Sequence, residues 1–154
     1  MLTAEQLACA AAPELLGGDA VYIGPALPAG LSALLTEGVR RVESAAAPTD
    51  LAFVRAACVS IRGAYAADEL VPRARRVIAV LDVPLDALRE HLRSHCDGAH
   101  SPDGLVARVV SPDASLELLP SGLRLRHVAR GVSARDIAEA LPFPVWAGPD
   151  LALL

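Results

Sequence analysis

The chain has 154 residues, a formal net charge of −4 and 53% hydrophobic residues, so it is expected to be one α/β domain spanning 1–154; a chain this long buries ~70% of its unfolded surface. Aromatic residues make up only 3%, there is no Lys, and all 14 basic residues are Arg, which leaves no basic patch of the kind nucleic-acid binding needs beyond the short Arg73, Arg75, Arg76 cluster. No apolar run reaches the ~18 residues of a membrane span, no basic region precedes an apolar stretch at the N-terminus, and Cys9, Cys58 and Cys96 are too few and too scattered for a disulfide framework, so a cytoplasmic location is expected, with no nucleic-acid and no membrane partner.

Taken in chain order, Thr3 and Gln6 have the spacing of a capping box, which starts a helix that should stop at Gly17-Gly18. Residues 20–23 form a short apolar strand that Gly24-Pro25 interrupts. A helix is expected over 27–35 after Pro28, with Leu27, Leu31, Leu34 and Leu35 on one face. Residues 39–43 read as a second strand. Thr49 is placed to cap a short helix reaching Ala57. Residues 59–62 suggest a strand, and 68–72 a linker or one helical turn. The unbroken apolar run Val77-Ile78-Ala79-Val80-Leu81 marks a strand over 76–82 covered on both faces, as in a parallel sheet. Pro84 then starts a helix over 84–95, where its missing amide costs little, with Leu85, Leu88 and Leu92 facing the core.

Beyond Gly104 the pattern changes to three short strands, 105–110, 115–119 and 123–128. Pro120-Ser121-Gly122 links the last two as a hairpin. Ser133 caps a final helix over 134–141, and a Pro-rich tail follows. Helix-separated strands ending in a hairpin predict an α/β fold: one open, mostly parallel, mixed sheet with flanking helices.

Several segments carry a family resemblance. Residues 2–7, the stretch from Gly17 through Gly24-Pro25-Ala26-Leu27-Pro28, the strands 104–110 and 116–125, and Ala129-Arg130-Gly131-Val132-Ser133, Pro142-Phe143 and Pro149-Asp150-Leu151 occur in the order and spacing of one family. The chain resembles the beta subunit of the 3-oxoacid CoA-transferases, class I CoA-transferases. The resemblance covers nearly the whole chain and is strongest at its two ends.

That resemblance implies a chemistry and then removes its catalyst. The family's second strand ends in Ser-Glu-Asn-Gly, and the Glu attacks the acyl-CoA thioester, because a carboxylate serves both as nucleophile and as later leaving group. Here Ser44 is kept and the next three positions are Ala45, Ala46 and Ala47. Glu43 is the nearby carboxylate, but on an extended strand it lies ~6.5–7 Å from the family position. A second family feature is also missing: a Gly-rich segment before the strand at 75–78 is replaced by the direct bridge Asp68-Glu69-Leu70-Val71-Pro72-Arg73-Ala74. Amides of such segments hold a substrate oxyanion. In the first Gly loop, Gly24 and Pro28 match the family and its second Gly is Ala26. Gly24, Ala26, Pro28 and Ser44 are therefore candidates for an acyl-CoA loop, although Gly24 also fits a plain turn after a strand.

The resemblance implies a partner, an alpha-like subunit that completes an acyl-CoA site, and an exposed apolar surface for it. It implies no bound cofactor, with a coenzyme A thioester as possible substrate. The expected function is a beta-subunit-like protein inactive in CoA transfer by itself. The alternative is an active acyl-CoA enzyme, either a CoA-transferase using Glu43 or a decarboxylase or hydrolase with no Glu nucleophile.

Three further signals stand outside the resemblance. His91 and His95 are four apart on the expected helix and would share a face able to chelate a metal, with Cys96 or His100 as a third ligand. The plain alternative is a helix end at the surface. Cys58 lies in an apolar stretch and reads as a small buried hydrophobe. Asp82 ends the clearest strand, where a carboxylate can face a crevice.

Overall fold

The structure is a computed structural model that describes residues 1–15, 19–35, 39–69, 72–99 and 101–154. In chain order its elements are α1 (Ala4–Ala11), a 3-10 turn (Ala12–Glu14), β1 (Ala20–Ile23), α2 (Leu31–Leu34), β2 (Arg40–Val42), β3 (Thr49–Arg55), β4 (Cys58–Ser60), β5 (Tyr65–Ala66), β6 (Ala74–Val80), α3 (Leu85–His91), β7 (Leu92–Arg93), β8 (Val106–Val110), β9 (Ala114–Leu119), β10 (Gly122–Val128), α4 (Ala134–Ala140) and β11 (Val145–Leu153).

Eight strands form one sheet in the order β11-β10-β9-β8-β6-β3-β1-β2. From β2 to β8 every pairing is parallel. β8, β9 and β10 then run antiparallel, and β11 lies parallel to β10 at the edge. A smaller sheet, β5-β4-β7, packs beside the large one. The α/β fold class, the flanking helices and the hairpin are as the sequence predicts.

Alternation along β3 shows how the layers form. Leu51 and Phe53 join Leu2, Leu7, Val21, Leu31 and Ile78 on the α1 and α2 face. Ala52 and Val54 join Val77, Leu88, Leu116, Leu125 and Ile137 on the α3 and α4 face. Each of these β3 residues has zero exposure, and burying one such large side chain contributes about 1.5–3 kcal/mol. A strand buried on both faces reads as a continuous apolar run. That is why the expected helix from Thr49 to Ala57 is wrong. Leu, Ala and Arg favour helix locally, but here the segment is flanked by β1 and β6 and hydrogen-bonds to both. Thr49 is no helix cap; its hydroxyl donates within reach of the Ala47 and Arg73 carbonyls.

Other boundaries also move. The helix expected over 27–35 is one turn, because Gly30 at its start takes φ 86° and redirects the chain. The helix expected over 84–95 stops at His91, and Leu92–Arg93 pairs with β4 as a strand. The Pro-rich tail is the nine-residue strand β11. Gly17-Gly18, expected to end α1, and Leu70-Val71 of the expected linker lie outside the described residues.

The capping boxes hold both helix starts. Thr3 exchanges hydrogen bonds with Gln6, and Ser133 with Asp136. In the hairpin Gly122 pairs with Leu119 at φ 143°, and a Cβ there would meet the Pro144 carbonyl oxygen at 2.8 Å. The Arg-rich segment has a structural role. Arg76 reaches Glu14 at 3.1 Å and Asp19 at 3.6 Å, and the buried Arg108 reaches the other Glu14 oxygen at 2.9 Å. These pairs tie the turn after α1 to the sheet.

Candidate functional site

Parallel strands carry their connections away at their C-terminal ends, where a crevice can open. Here the turn after β1 brings Pro25-Ala26, β3 ends at Arg55 before Ala56-Ala57, and β6 runs on into Asp82-Val83. Together with Asp68, Glu69 and His91 these residues line a cavity of about 580 Å³, within the size range of small-molecule sites. Its walls are mostly small and apolar, and its polar groups come from four separate segments.

Among those groups Glu69 is half-buried. Its Oε1 accepts the Arg55 backbone N–H at 3.2 Å. Its Oε2 is buried and has no hydrogen-bond partner among the described residues. Burial raises the Glu69 pKa, against the pull of the Arg55 and Ala26 amides and the Arg55 charge. Two phenols feel it: Tyr22 and Tyr65 are both raised, first by burial and then by the Glu69 charge, Tyr65 to about 12. Gly24 makes room for the carboxyl. A Cβ on Gly24 would lie 2.5 Å from Glu69 Oε1 and 3.1 Å from the Phe53 carbonyl oxygen.

The remaining groups are held in place. Arg55 forms an ion pair with Asp82 at 3.7 Å, and the other Asp82 oxygen accepts the Leu2 N–H at 3.0 Å. His91 Nδ1 lies 2.8 Å from the Ala57 carbonyl oxygen. A carbonyl can only accept, so Nδ1 carries the hydrogen and Nε2 is the nitrogen able to take up a proton.

The sequence candidates divide between places. Ala26 lines the crevice; Gly24 and Pro28 instead line a neighbouring hollow of about 240 Å³ with Arg41 and Ser32. Ser44 accepts the Ala46 N–H at 3.2 Å inside its own turn. Ala45 is half-buried against the core, and its carbonyl accepts the Arg73 N–H at 3.0 Å. Glu43 has a side chain 81% exposed and lies 3.5 Å from Arg41. Neither Glu43 nor Ala45 is among the residues that line the crevice.

The shared face expected of His91 and His95 is not formed. α3 stops at His91, His95 is 84% exposed beside Asp97 at 3.6 Å, and the intervening residues are extended. His100 lies outside the described residues. Among the described residues no group of three or more His, Cys, Asp or Glu is placed to hold a metal ion. The Cys58 thiol is pushed up to about 12, chiefly by burial and then by neighbouring Cys96, which outweighs Arg93. A thiol so raised is a poor nucleophile.

Sequence reading missed Glu69 and Arg55, and gave Asp82 only as a strand-end carboxylate. The signal for Arg55 was present: a charge closing the apolar run Leu51-Ala52-Phe53-Val54 marks a strand end once the run is read as a strand. Glu69 has no such local signal, since its partners lie 14 and 45 residues away.

No protein-family model matches the sequence, and no curated protein matches it. Solved structures do. Over 97% of this chain and 87% of the other, the decarboxylase AibA/AibB superposes with a TM-score of 0.67 at 18% identity. Glutaconate coenzyme A-transferase from Acidaminococcus fermentans gives 0.68 at 12% identity over 98% of this chain and 88% of its own. The acyl-CoA transferase YdiF from Escherichia coli O157:H7 gives 0.71 at 13% identity over 98% of this chain, which spans 43% of that longer protein. The chain therefore has a CoA-transferase-like fold.

Proposed function

We propose that this chain is a beta-subunit-like partner of an alpha-like chain at an acyl-CoA site, and that it does not transfer CoA by itself. What carries the reading is the absence of a nucleophile from the family's catalytic turn on a sheet that keeps the family's shape. Ala45 offers no lone pair, and the Glu43 carboxylate is solvated beside Arg41. A nucleophile must sit within about 3–3.5 Å of the reacting carbon. The crevice at the ends of β1, β3 and β6 supports a retained binding site. For the partner, the reading draws on the edge strand β11, where Trp146 and Leu153 are large apolar side chains left exposed.

Co-expression with the product of the neighbouring gene, followed by acyl-CoA turnover and hydroxylamine trapping, tests this. The purified chain should form no hydroxamate. Ala45→Glu alone should not restore transfer, because the Gly-rich segment is missing too, and losing one oxyanion donor costs ~10²–10³ in rate. A hydroxamate on wild-type Glu43 would establish a displaced nucleophile and sink the reading. So would a stable monomer indifferent to the co-expressed chain.

A second reading draws on Glu69, Arg55, Asp82 and His91 lining one crevice. Glu69, Asp82 and His91 are acid–base groups and Arg55 is a fixed positive charge, and a protein called a decarboxylase shares the fold. On this reading the complex consumes an acyl-CoA without any acyl-enzyme. Turnover that leaves no hydroxamate and disappears in His91→Ala distinguishes it from the first.

A further inference from the structure

The metal ligands that local spacing suggests do not come together, but the fold brings Cys96 to a thiol outside that set. Cys58 opens β4, and Cys96 follows β7, the strand that pairs in parallel with β4. Cys58 and Ser60 are two apart on β4, so they share the face opposite the core residue Val59. Ser60 and Cys96 line one hollow of about 200 Å³, and the Cys58 thiol hydrogen-bonds to the Cys96 thiol. Cys96 is buried, whereas Cys58 is only partly so. One sulfur is packed in place, and a small ion has a route in from the Cys58 side. We propose that the Cys58 and Cys96 sulfurs form a two-coordinate site for a soft monovalent cation, Cu(I), independent of any acyl-CoA reading.

The donors select the ion. Thiolate sulfur is a soft ligand and suits Cu(I), which two sulfurs in line can satisfy. Zn(II) takes four protein ligands in a closed site and three in an open one, and no group of three or more His, Cys, Asp or Glu is placed to hold a metal ion among the described residues. His95 and Asp97 flank Cys96, but both are exposed and pair with each other. On binding, each thiol gives up its proton and each sulfur lone pair forms a Cu–S bond. The copper stays Cu(I), so no oxidant or reductant is consumed, and the bound group carries one net negative charge. Arg93, whose charge favours the Cys58 thiolate against Asp97, stands near enough to offset it. Burial keeps the Cys58 proton on the free thiol, but the same basicity makes its sulfur a strong donor once the proton has left. A bound ion would tie β4 to the segment after β7.

The test uses the full chain, reduced and kept free of oxygen, added to the Cu(I) complex of bicinchoninate. The wild type should withdraw one Cu(I) per chain and release protons as it does so, so that uptake tightens as pH rises. Copper X-ray absorption should show two sulfur neighbours and no nitrogen. Cys58→Ser and Cys96→Ser should each withdraw none, with circular dichroism checking that each is folded; if the buried Cys96→Ser does not fold, Cys58→Ser decides. Cys9→Ser should bind like the wild type, because Cys9 lies on α1 with its sulfur against the Leu153 carbonyl oxygen. Zn(II) should not displace the copper. No Cu(I) uptake by the reduced wild type, uptake retained in Cys58→Ser, uptake lost in Cys9→Ser, a nitrogen ligand in the absorption spectrum, or displacement by Zn(II) each overturns the proposal.

Discussion

Glu43 and Glu69 are the same residue type on one sheet, and they sit in opposite environments. Glu43 follows edge strand β2, with neighbours on one side only, and its side chain is 81% exposed beside Arg41. Glu69 reaches under the ends of β1 and β3, where Gly24 has been left without a side chain to admit it. The family resemblance directs attention to the first carboxylate, whereas burial singles out the second. What differs is desolvation: the Glu43 side chain stands in solvent, while burial raises the Glu69 pKa.

The sharpest way to break this contrast is through the floor beneath each group. Phe53 is fully buried and its carbonyl accepts the Gly24 N–H at 2.9 Å. Phe53→Ala should cost about 3–5 kcal/mol of stability, read by denaturant unfolding. Ser44→Ala, in the exposed turn after Glu43, should stay within about 0.5 kcal/mol. Equal effects would mean that the crevice has no more rigid a base than the edge.

Gly24→Ala should cost about 1–3 kcal/mol, since the new methyl group overpacks against Glu69 Oε1 and the Phe53 carbonyl. Much of that cost should vanish in a Glu69→Ala background, a coupling that a double-mutant cycle measures directly. Additive effects would separate Gly24 from Glu69 and weaken the crevice assignment.

The pH dependence of stability sharpens the comparison by sign. The folded Glu69 pKa is raised, so its stabilising effect is full below the unfolded value of about 4.3 and is lost as pH rises through the folded value. Relative to wild type, Glu69→Gln should therefore gain thermal stability on going from acid to neutral pH. Asp136 provides a control of opposite sign. Hydrogen bonds from Ser133 lower its pKa, so its effect is present above the unfolded value and lost as pH falls through the folded one. Protection of the α4 amides, corrected for intrinsic exchange, should fall slightly at low pH, and that fall should be absent in Asp136→Asn. A wild-type curve that Glu69→Gln merely shifts, with no change in slope, would show Glu69 to be solvated like Glu43.

Much of the scaffold was legible because its signals are local. The run at 77–81, the turn before Gly122, the capping pairs Thr3 with Gln6 and Ser133 with Asp136, and Pro84 ahead of α3 each depend on residues within a few positions of one another. The segment 49–57 shows where locality fails. Its composition suits a helix, and only pairing with β1 and β6, strands far away in sequence, makes it a strand. The same limit applied to His91 and His95: their spacing implies a shared face only while the helix continues, and the pairing of Leu92 with Val59 ends it first.

By itself, then, the sequence determined the fold class and the order of most elements, because periodicity and capping are properties of short segments. The tertiary structure alone decided that Glu69 Oε2 is closed off from solvent. Gly24, Arg55, Glu69, Asp82 and His91 become neighbours only when β1, β3 and β6 lie side by side. The desolvation that distinguishes Glu69 from Glu43 is produced by that packing, and no stretch of sequence around either residue encodes it.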